Sequence, residues 1–399
     1  RTLDYGKSWT KITKGINESH FTRVVRADPK RQGLLYAGTE WGLYVSFNDG
    51  AQWQPMQLNL PIVSVTDIAV KEGDLIAATQ GRAFWVLDNL DHIRQLAAGI
   101  TSKDLHLFKP EPSYRMGGGG GGNGTGKNPA SGVEIRFHVS QKILDAKTVV
   151  ALELRDNDGT LIHRYATDST KKGKKLTVKA GINRFEWNRR YEGALEVPGM
   201  ILWSANLSGP SAVPGTYQAH LVAGSKTLKT TFLIRKDPRT EASIQDIQSQ
   251  FTFLTDIRDK LTETHKGILR IRDIRSQVEA TLQKVEKADN TEELLSLGKD
   301  LKVKVTDIEE HLYQTKSKSR QDPLNFPIKL NNKLGHVSST VARGDYRPTE
   351  QAVKVASKLT TAINTHLHRL RDLEANELKT FNDLASKMKV RHVQPKTRK

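Results

Sequence analysis

Apolar positions along this chain alternate with polar ones over residues 1–236 and then switch to a spacing of three and four. In the first stretch the apolar runs are short and bounded by turn residues, at 34–39, 42–46, 67–70, 75–79 and 83–87. That pattern predicts strands and tight turns over 1–108. Residues 117–122 are all glycine and are followed by Asn123-Gly124-Thr125-Gly126, which predicts a flexible linker over 109–130. A phosphate loop would need Gly-Lys-Ser/Thr opening a helix, and Lys127-Asn128-Pro129 stands there instead. Alternation resumes at 133–137, 149–154, 161–165, 181–187, 215–221 and 230–234, divided by turns at Asp156-Asn157-Asp158-Gly159 and Pro214-Gly215. Short alternating strands of this density predict an immunoglobulin-like β-sandwich over 131–238, without a disulfide because cysteine is absent.

From Asp237 onward the spacing is helical. Ile247, Phe251, Leu254, Ile257, Leu261, Ile268, Ile271, Val278, Leu282 and Val285 mark one face of a helix over about 241–287. Leu294, Leu297, Leu301, Ile308 and Leu312 mark a second, and Leu330, Leu334, Val337 and Val341 a third. A fourth opens at Pro348-Thr349-Glu350 and carries its apolar face through Leu384. Four one-faced helices predict a bundle over 239–388, with 389–399 left as a basic tail.

Two octapeptides repeat 44 residues apart. Thr2-Leu3-Asp4-Tyr5-Gly6-Lys7-Ser8-Trp9 and Ser46-Phe47-Asn48-Asp49-Gly50-Ala51-Gln52-Trp53 share the form [ST]-x-[DN]-x-G-x-x-W. The polar side chains can accept backbone N–H bonds, Gly6 and Gly50 can take a left-handed conformation, and Trp9 and Trp53 can pack beneath the turn. A period of this size suits a propeller blade. Residues 1–108 therefore read as two terminal blades. Two blades do not close a ring, so the remaining blades are expected from a longer chain or a second chain. In the second motif Gln52 stands where Ser or Thr is usual.

Charge changes this picture little. The formal net charge is +18, but residues 241–388 hold 24 Lys/Arg against 22 Asp/Glu, and the first 240 hold 33 against 22. Basicity is spread over the β-rich part and the tail, with no zinc-finger, RNA-recognition or basic-zipper pattern, so no specific nucleic-acid partner is expected. A nucleic-acid reading would require binding that falls steeply with salt and is lost with residues 389–399. The absence of cysteine excludes thiol catalysis and Cys-based zinc sites. His366 and His368 are two apart on a helix and do not share a face, so neither a metal site nor a cofactor is expected. No apolar run approaches a membrane span. Arg343-Gly344-Asp345 sits where a turn between helices is needed and reads as that turn.

With these features in place, the chain resembles the C-terminal part of large bacterial sortilin-like, BNR (Asp-box) repeat proteins, often labelled glycosyl hydrolases. The resemblance is carried by the two Asp-box motifs and by Leu34-Leu35-Tyr36-Ala37-Gly38-Thr39-Glu40, Asn59-Leu60-Pro61, Gly81-Arg82-Ala83-Phe84-Trp85-Val86-Leu87-Asp88, Asn183-Arg184-Phe185-Glu186-Trp187, Pro214-Gly215-Thr216-Tyr217 and Leu330-Asn331-Asn332-Lys333-Leu334. It implies propeller blades, a sandwich and a helical tail in an exported, periplasmic or envelope-associated protein. It says little about activity. The first functional expectation is a non-catalytic binding or scaffolding protein with a protein or polysaccharide ligand. The alternative is the C-terminal part of a glycoside hydrolase of xyloglucanase type whose two acids lie in the missing blades. Of the acids in the two blades, Glu40 beside Trp41 alone suggests a sugar site, an acid next to a stacking platform.

Overall fold

The computed structural model describes residues 1–96, 100–117, 126, 128, 131–286 and 288–396. It is a mixed β and α protein that divides into two compact units, Arg1–Asn188 with Gly215–Arg235, and Arg189–Pro214 with Lys236–Lys399.

The first unit opens with two small antiparallel sheets. One holds β1 (Thr22–Ala27), β2 (Leu35–Thr39), β3 (Gly42–Ser46) and β4 (Gln54–Pro55); the other holds β5 (Val65–Lys71), β6 (Asp74–Thr79) and β7 (Phe84–Leu87). Val24, Tyr36, Leu43 and Val45 of the first sheet meet Val65, Ile68, Leu75 and Ala77 of the second in one buried cluster. The approach is close enough to require glycine at 38, where a Cβ would stand 2.8 Å from both Val24 Cγ1 and Val65 Cγ1. A short helix, α1 (Asp91–Gln95), follows.

Strand pairing draws the next boundary differently from the sequence expectation. β8 (Leu105–Leu107), read as the end of the first domain, pairs with β10 (Val133–Val139) in the register Phe137↔Leu107. β9 (Ser113–Tyr114), read as linker, runs parallel to the last strand of the unit. The reason is local: Leu105 and Leu107 are buried either side of His106, an edge strand's alternation too short to register against its neighbours. Much of the expected linker, at 118–125, 127, 129 and 130, lies outside the described residues. After β10 come α2 (Gln141–Asp145), β11 (Val150–Arg155), β12 (Leu161–Ala166), β13 (Gly181–Trp187), β14 (Gly215–Ala223) and β15 (Lys226–Arg235). They form a three-stranded sheet β13-β10-β8 and a five-stranded sheet β12-β11-β14-β15-β9. The sheets face each other across Trp187, fully buried, whose ring lies 5.7 Å from Tyr217 and 6.1 Å from Phe232.

The second unit is helical. α3 (Ile244–Val285) starts at a capping box, Ser243 Oγ accepting from Asp246 N at 3.1 Å while Ser243 N donates to the Asp246 carboxylate at 3.1 Å. α4 (Glu292–Leu312), α5 (Leu330–Val341), α6 (Glu350–Leu373) and α7 (Lys379–Lys387) pack with it around Ile268, Ile271, Leu301, Val305, Leu334, Ile363 and Phe381. Between α6 and α7 the helix passes through one wide turn, Glu374–Leu378.

Two segments expected elsewhere belong to this unit. Residues 189–214, assigned to the sandwich from sequence, lie along the helices as an irregular strap. The ends of the strap pair with each other, Ala194 N donating to Leu207 O (2.7 Å) beside the bridge between Arg190 and Ser211. Elsewhere side chains outside the strap supply partners: Leu195 N donates to Thr262 Oγ1 (3.2 Å), Ile201 N to the Tyr313 hydroxyl (3.0 Å) and Ser339 Oγ to Ser204 O (2.8 Å). Asn332 holds both sides of one residue, accepting from Trp203 N at 2.7 Å and donating to Trp203 O at 2.8 Å. Its neighbour Asn331 bonds His265 Nε2 at 3.2 Å, and His265 Nδ1 reaches Leu195 O at 2.5 Å. Asn332→Ala is expected to cost about 1–2 kcal/mol, because both backbone groups of Trp203 lose their partner at once and the buried Asn332 site is left empty. Faster amide exchange confined to residues 201–206 would report it; unchanged exchange there would refute it. The second segment is the basic tail. Val393 is buried, Asn382 brackets its backbone, and Gln394 N and Lys396 N donate to Gln277 Oε1 (2.8 Å) and Asp273 Oδ2 (2.7 Å). Charge made 389–396 look like a solvated tail, and a buried valine with paired backbone makes it a second strap.

Candidate functional site

The two Asp-box turns are built alike. In the first, Thr2 Oγ1 accepts from Gly6 N (2.7 Å), and Asp4 accepts from Ser8 N (2.9 Å) and Ser8 Oγ (2.7 Å). The Ser8 hydroxyl, with the backbone bonds behind it, holds the Asp4 carboxyl down to about 2. In the second, Ser46 Oγ accepts from Gly50 N (2.9 Å) and Asn48 Oδ1 from Gln52 N (2.9 Å). Gln52 has no hydroxyl to return, and its amide goes to Trp53 O instead (3.2 Å). Gly6 and Gly50 sit at φ 89° and 84°, preceded by Tyr5 and Asp49 both at 59°. The cages differ in what lies beneath them. Trp53 is 3% exposed and donates from Nε1 to Ile12 O at 2.7 Å, whereas Trp9 is 73% exposed. The oxygens of Thr2, Asp4, Ser46 and Asn48 are engaged within their own turns.

Glu40 and Trp41 occupy the hairpin between β2 and β3, where Trp41 N is fixed by Thr39 Oγ1 at 3.1 Å. The Trp41 ring lies nearly parallel to His20, 15° apart with centroids at 5.8 Å, and His20 Nδ1 is bonded by the Tyr44 hydroxyl at 2.8 Å. Tyr44 therefore locks the imidazole that backs the indole, leaving one indole face to solvent. Phe21, also exposed, is tied beside it through Glu40 N to Phe21 O at 2.9 Å. The Glu40 carboxylate forms an ion pair with Arg23. The result is a pre-organised aromatic platform with a neutralised acid at its rim, suited to binding rather than to proton transfer. His20, Phe21, Arg23 and Tyr44 gave no sign of this from sequence, since they share neither a motif nor a strand.

The most perturbed acids sit elsewhere in the first unit, around α1. Asp28, its side chain fully buried, accepts from Arg94 Nε at 3.0 and 3.1 Å and from the Tyr36 hydroxyl at 3.2 Å, and Arg94 also bonds Asp91 at 2.9 Å. Gln95 clasps residue 109 twice, Nε2 to Lys109 O (2.9 Å) and Oε1 from Lys109 N (2.7 Å). Burial, then a hydrogen bond shared with Asp91, pushes Glu111 up to about 7, and that same bond holds Asp91 below the usual carboxylate range. Glycoside hydrolases need their two carboxyls about 5–10 Å apart across the bond they cleave. Glu111 and Asp91 instead share a proton, with Arg94 and Lys30 beside them, and so act as a clasp. A carboxyl whose pKa is raised on folding stabilises the fold below its unfolded value near 4.5, and that stability is lost as pH rises to about 7. Glu111→Gln keeps a donor to Asp91 and should abolish this contribution, on the order of 1 kcal/mol. Urea midpoints of the first unit at pH 5 and pH 8 should then lie closer together than in the parent; an unchanged gap would refute the assignment.

Other candidates from sequence are not brought together. Gly344 O of Arg343-Gly344-Asp345 accepts from Gln250 Nε2 at 2.5 Å and Asp345 is half-buried and engaged, as a turn requires. His366 stacks on His311 at 4.5 Å rather than joining His368. Among the described residues no group of three or more His, Asp or Glu is placed to hold a metal ion, and no helix is long and apolar enough to cross a membrane.

No protein-family model matches the chain, and no curated protein matches it. Among solved structures it is similar to one described as "pT26-6p", at 11% identity and a TM-score of 0.15, over 64% of this chain and 46% of that structure's length. A likeness so slight carries no argument about fold or function.

Proposed function

We propose that the chain is an exported binding or scaffolding protein of the sortilin-like BNR type. In this reading the first two sheets are propeller blades, the two facing sheets an immunoglobulin-like sandwich and the helices a supporting bundle. The observation that carries it is the repeated turn cage at 2–8 and 46–52, bond for bond alike except at Gln52. The exposed Trp41–His20 platform is then the ligand-facing surface. Two further features support blades that continue into other polypeptide. The second sheet has three strands against four in the first, leaving the exposed Phe84 and Val86 on its outer strand. Trp9 has nothing like the cover that Trp53 receives. The hydrolase alternative gains nothing from Glu40, whose carboxylate is neutralised by Arg23. The test is retention from cell-envelope extract on the immobilised chain and on its Trp41→Ala variant. A protein or glycan held by the parent and lost by the variant is expected, and recovery of nothing above background would sink the proposal.

A further inference from the structure

The five-stranded sheet carries a cationic outer face. Its register aligns Arg164 of β12 with Glu153 of β11, Glu153 with His220 of β14, and His220 with Lys229 of β15. Adjacent strands stand about 4.8 Å apart, so this row spans roughly 14 Å. Its single acid is already engaged: Arg155 bonds Glu153 at 2.7 Å and Arg164 approaches it at 3.6 Å. Lys229 is exposed. Burial first, and then Arg155 and Lys229, hold His220 below the ordinary imidazole range, as a cationic face would.

Beyond the edge strand β12 the chain turns through Lys171-Lys172-Gly173-Lys174-Lys175 and comes back. Ala166 N donates to Lys174 O at 3.0 Å, Leu176 N donates to Ala166 O at 2.9 Å, and Ala166 bridges Lys175 in parallel. Bridge partners point to one side of a sheet, and Ala166 shares its side with Arg164 two residues earlier. Lys175 therefore continues the row past the edge. Lys174 is consumed internally, its Nζ 2.5 Å from His163 Nδ1 and 4.8 Å above the Tyr165 ring. Lys172 and Lys175 are exposed. Residues 161–180 hold six Lys or Arg and one acid. Lysines on an edge strand commonly serve only to block strand addition. Here the returning segment already covers the edge at Ala166, and Arg164 and Lys229 lie on the face.

We propose that this face binds an acidic polysaccharide. It is one face of a sheet, with no helix on it to enter a nucleic-acid groove. Tyr165 packs against Phe185 in a tilted pair at 4.6 Å beneath Lys174, so neither ring stands free for a base. The row offers no apolar side chain to bury in a bilayer, and lasting attachment to a membrane surface needs one in addition to charge. Lysine is a compact point charge without the guanidinium fork, matched to dispersed sulfate or carboxylate groups.

The test is fluorescence anisotropy of labelled heparin, a sulfated polysaccharide, titrated with the full chain at low salt. Lys172→Gln, Lys175→Gln and Lys229→Gln together are expected to weaken binding about tenfold. Lys299→Gln, Lys358→Gln and Lys379→Gln remove the same charge from exposed helix positions and should change it less than about twofold. All six sites are exposed, so both variants should melt like the parent. Equal weakening by the two variants would make this net charge alone and overturn the proposal. So would the absence of heparin binding, or tighter binding to duplex DNA or phosphatidylserine vesicles at the same salt. Trp41 is untouched in both variants, so the outcome is independent of the platform described above.

Discussion

Trp53→Ala is expected to destabilise the first unit by about 3–5 kcal/mol, and Trp9→Ala to change it by less than about 0.5 kcal/mol. The two residues hold the same place in the same motif, so motif membership alone would predict equal effects. Packing separates them. The Trp53 ring lies in a buried cluster with Ala37 and Tyr44, flanked by Ile16 and Leu35, and its indole N–H fills the Ile12 carbonyl. Its removal leaves a cavity under β2 and β3 and an acceptor without a donor. The Trp9 ring is mostly in water and leaves no hole. Because the chain has two compact units, global melting would blend them, and amide exchange over 35–46 is the cleaner measure. Protection there should collapse in the Trp53 variant and persist in the Trp9 variant. Equal behaviour would mean that the seated ring is not what holds these strands. The pair also bears on the proposed missing blades: if further polypeptide covers Trp9, its substitution should become costly only in the assembled protein.

How much of this was legible in the sequence follows from how each segment buries its surface. The helices were readable because each covers a single face, whereas the capping box of Ser243 and Asp246, which starts α3 at Ile244 rather than near 241, went unread. The wide turn at 374–378 was not, because it costs the apolar spacing only one residue. The strap at 189–214 was invisible for a different reason. It has no period, since much of it is held by Thr262, Tyr313, Asn332 and Ser339, which lie far away in sequence. At the platform, Glu40 and Trp41 could be read as adjacent residues, but His20, which sets the ring's orientation, comes from outside the hairpin. Glu111 was hidden by its neighbours: between Pro110 and Pro112, ahead of the glycines, it looked like linker, and its proton is held by Asp91 of α1.

The second large effect is expected inside the helical unit. Glu309 of α4 is fully buried and bonds Arg272 and Arg275 of α3 at 2.7 Å each, while Arg272 also lies over the Tyr313 ring at 5.6 Å. The arginines are about one-third exposed, so they bring solvent-supported charge to a carboxylate that has no water of its own. Removing both, Arg272→Gln with Arg275→Gln, strands a buried charge and should cost about 3–5 kcal/mol near neutral pH. Removing the acid as well, Glu309→Met on that background, should recover most of the loss, because a buried ion pair is worth little more than well-packed apolar groups. Urea denaturation of the helical unit at pH 7 separates the outcomes. If the double variant is as stable as the parent, or if Glu309→Met on that background recovers nothing, Glu309 is not the charge these two arginines hold in place.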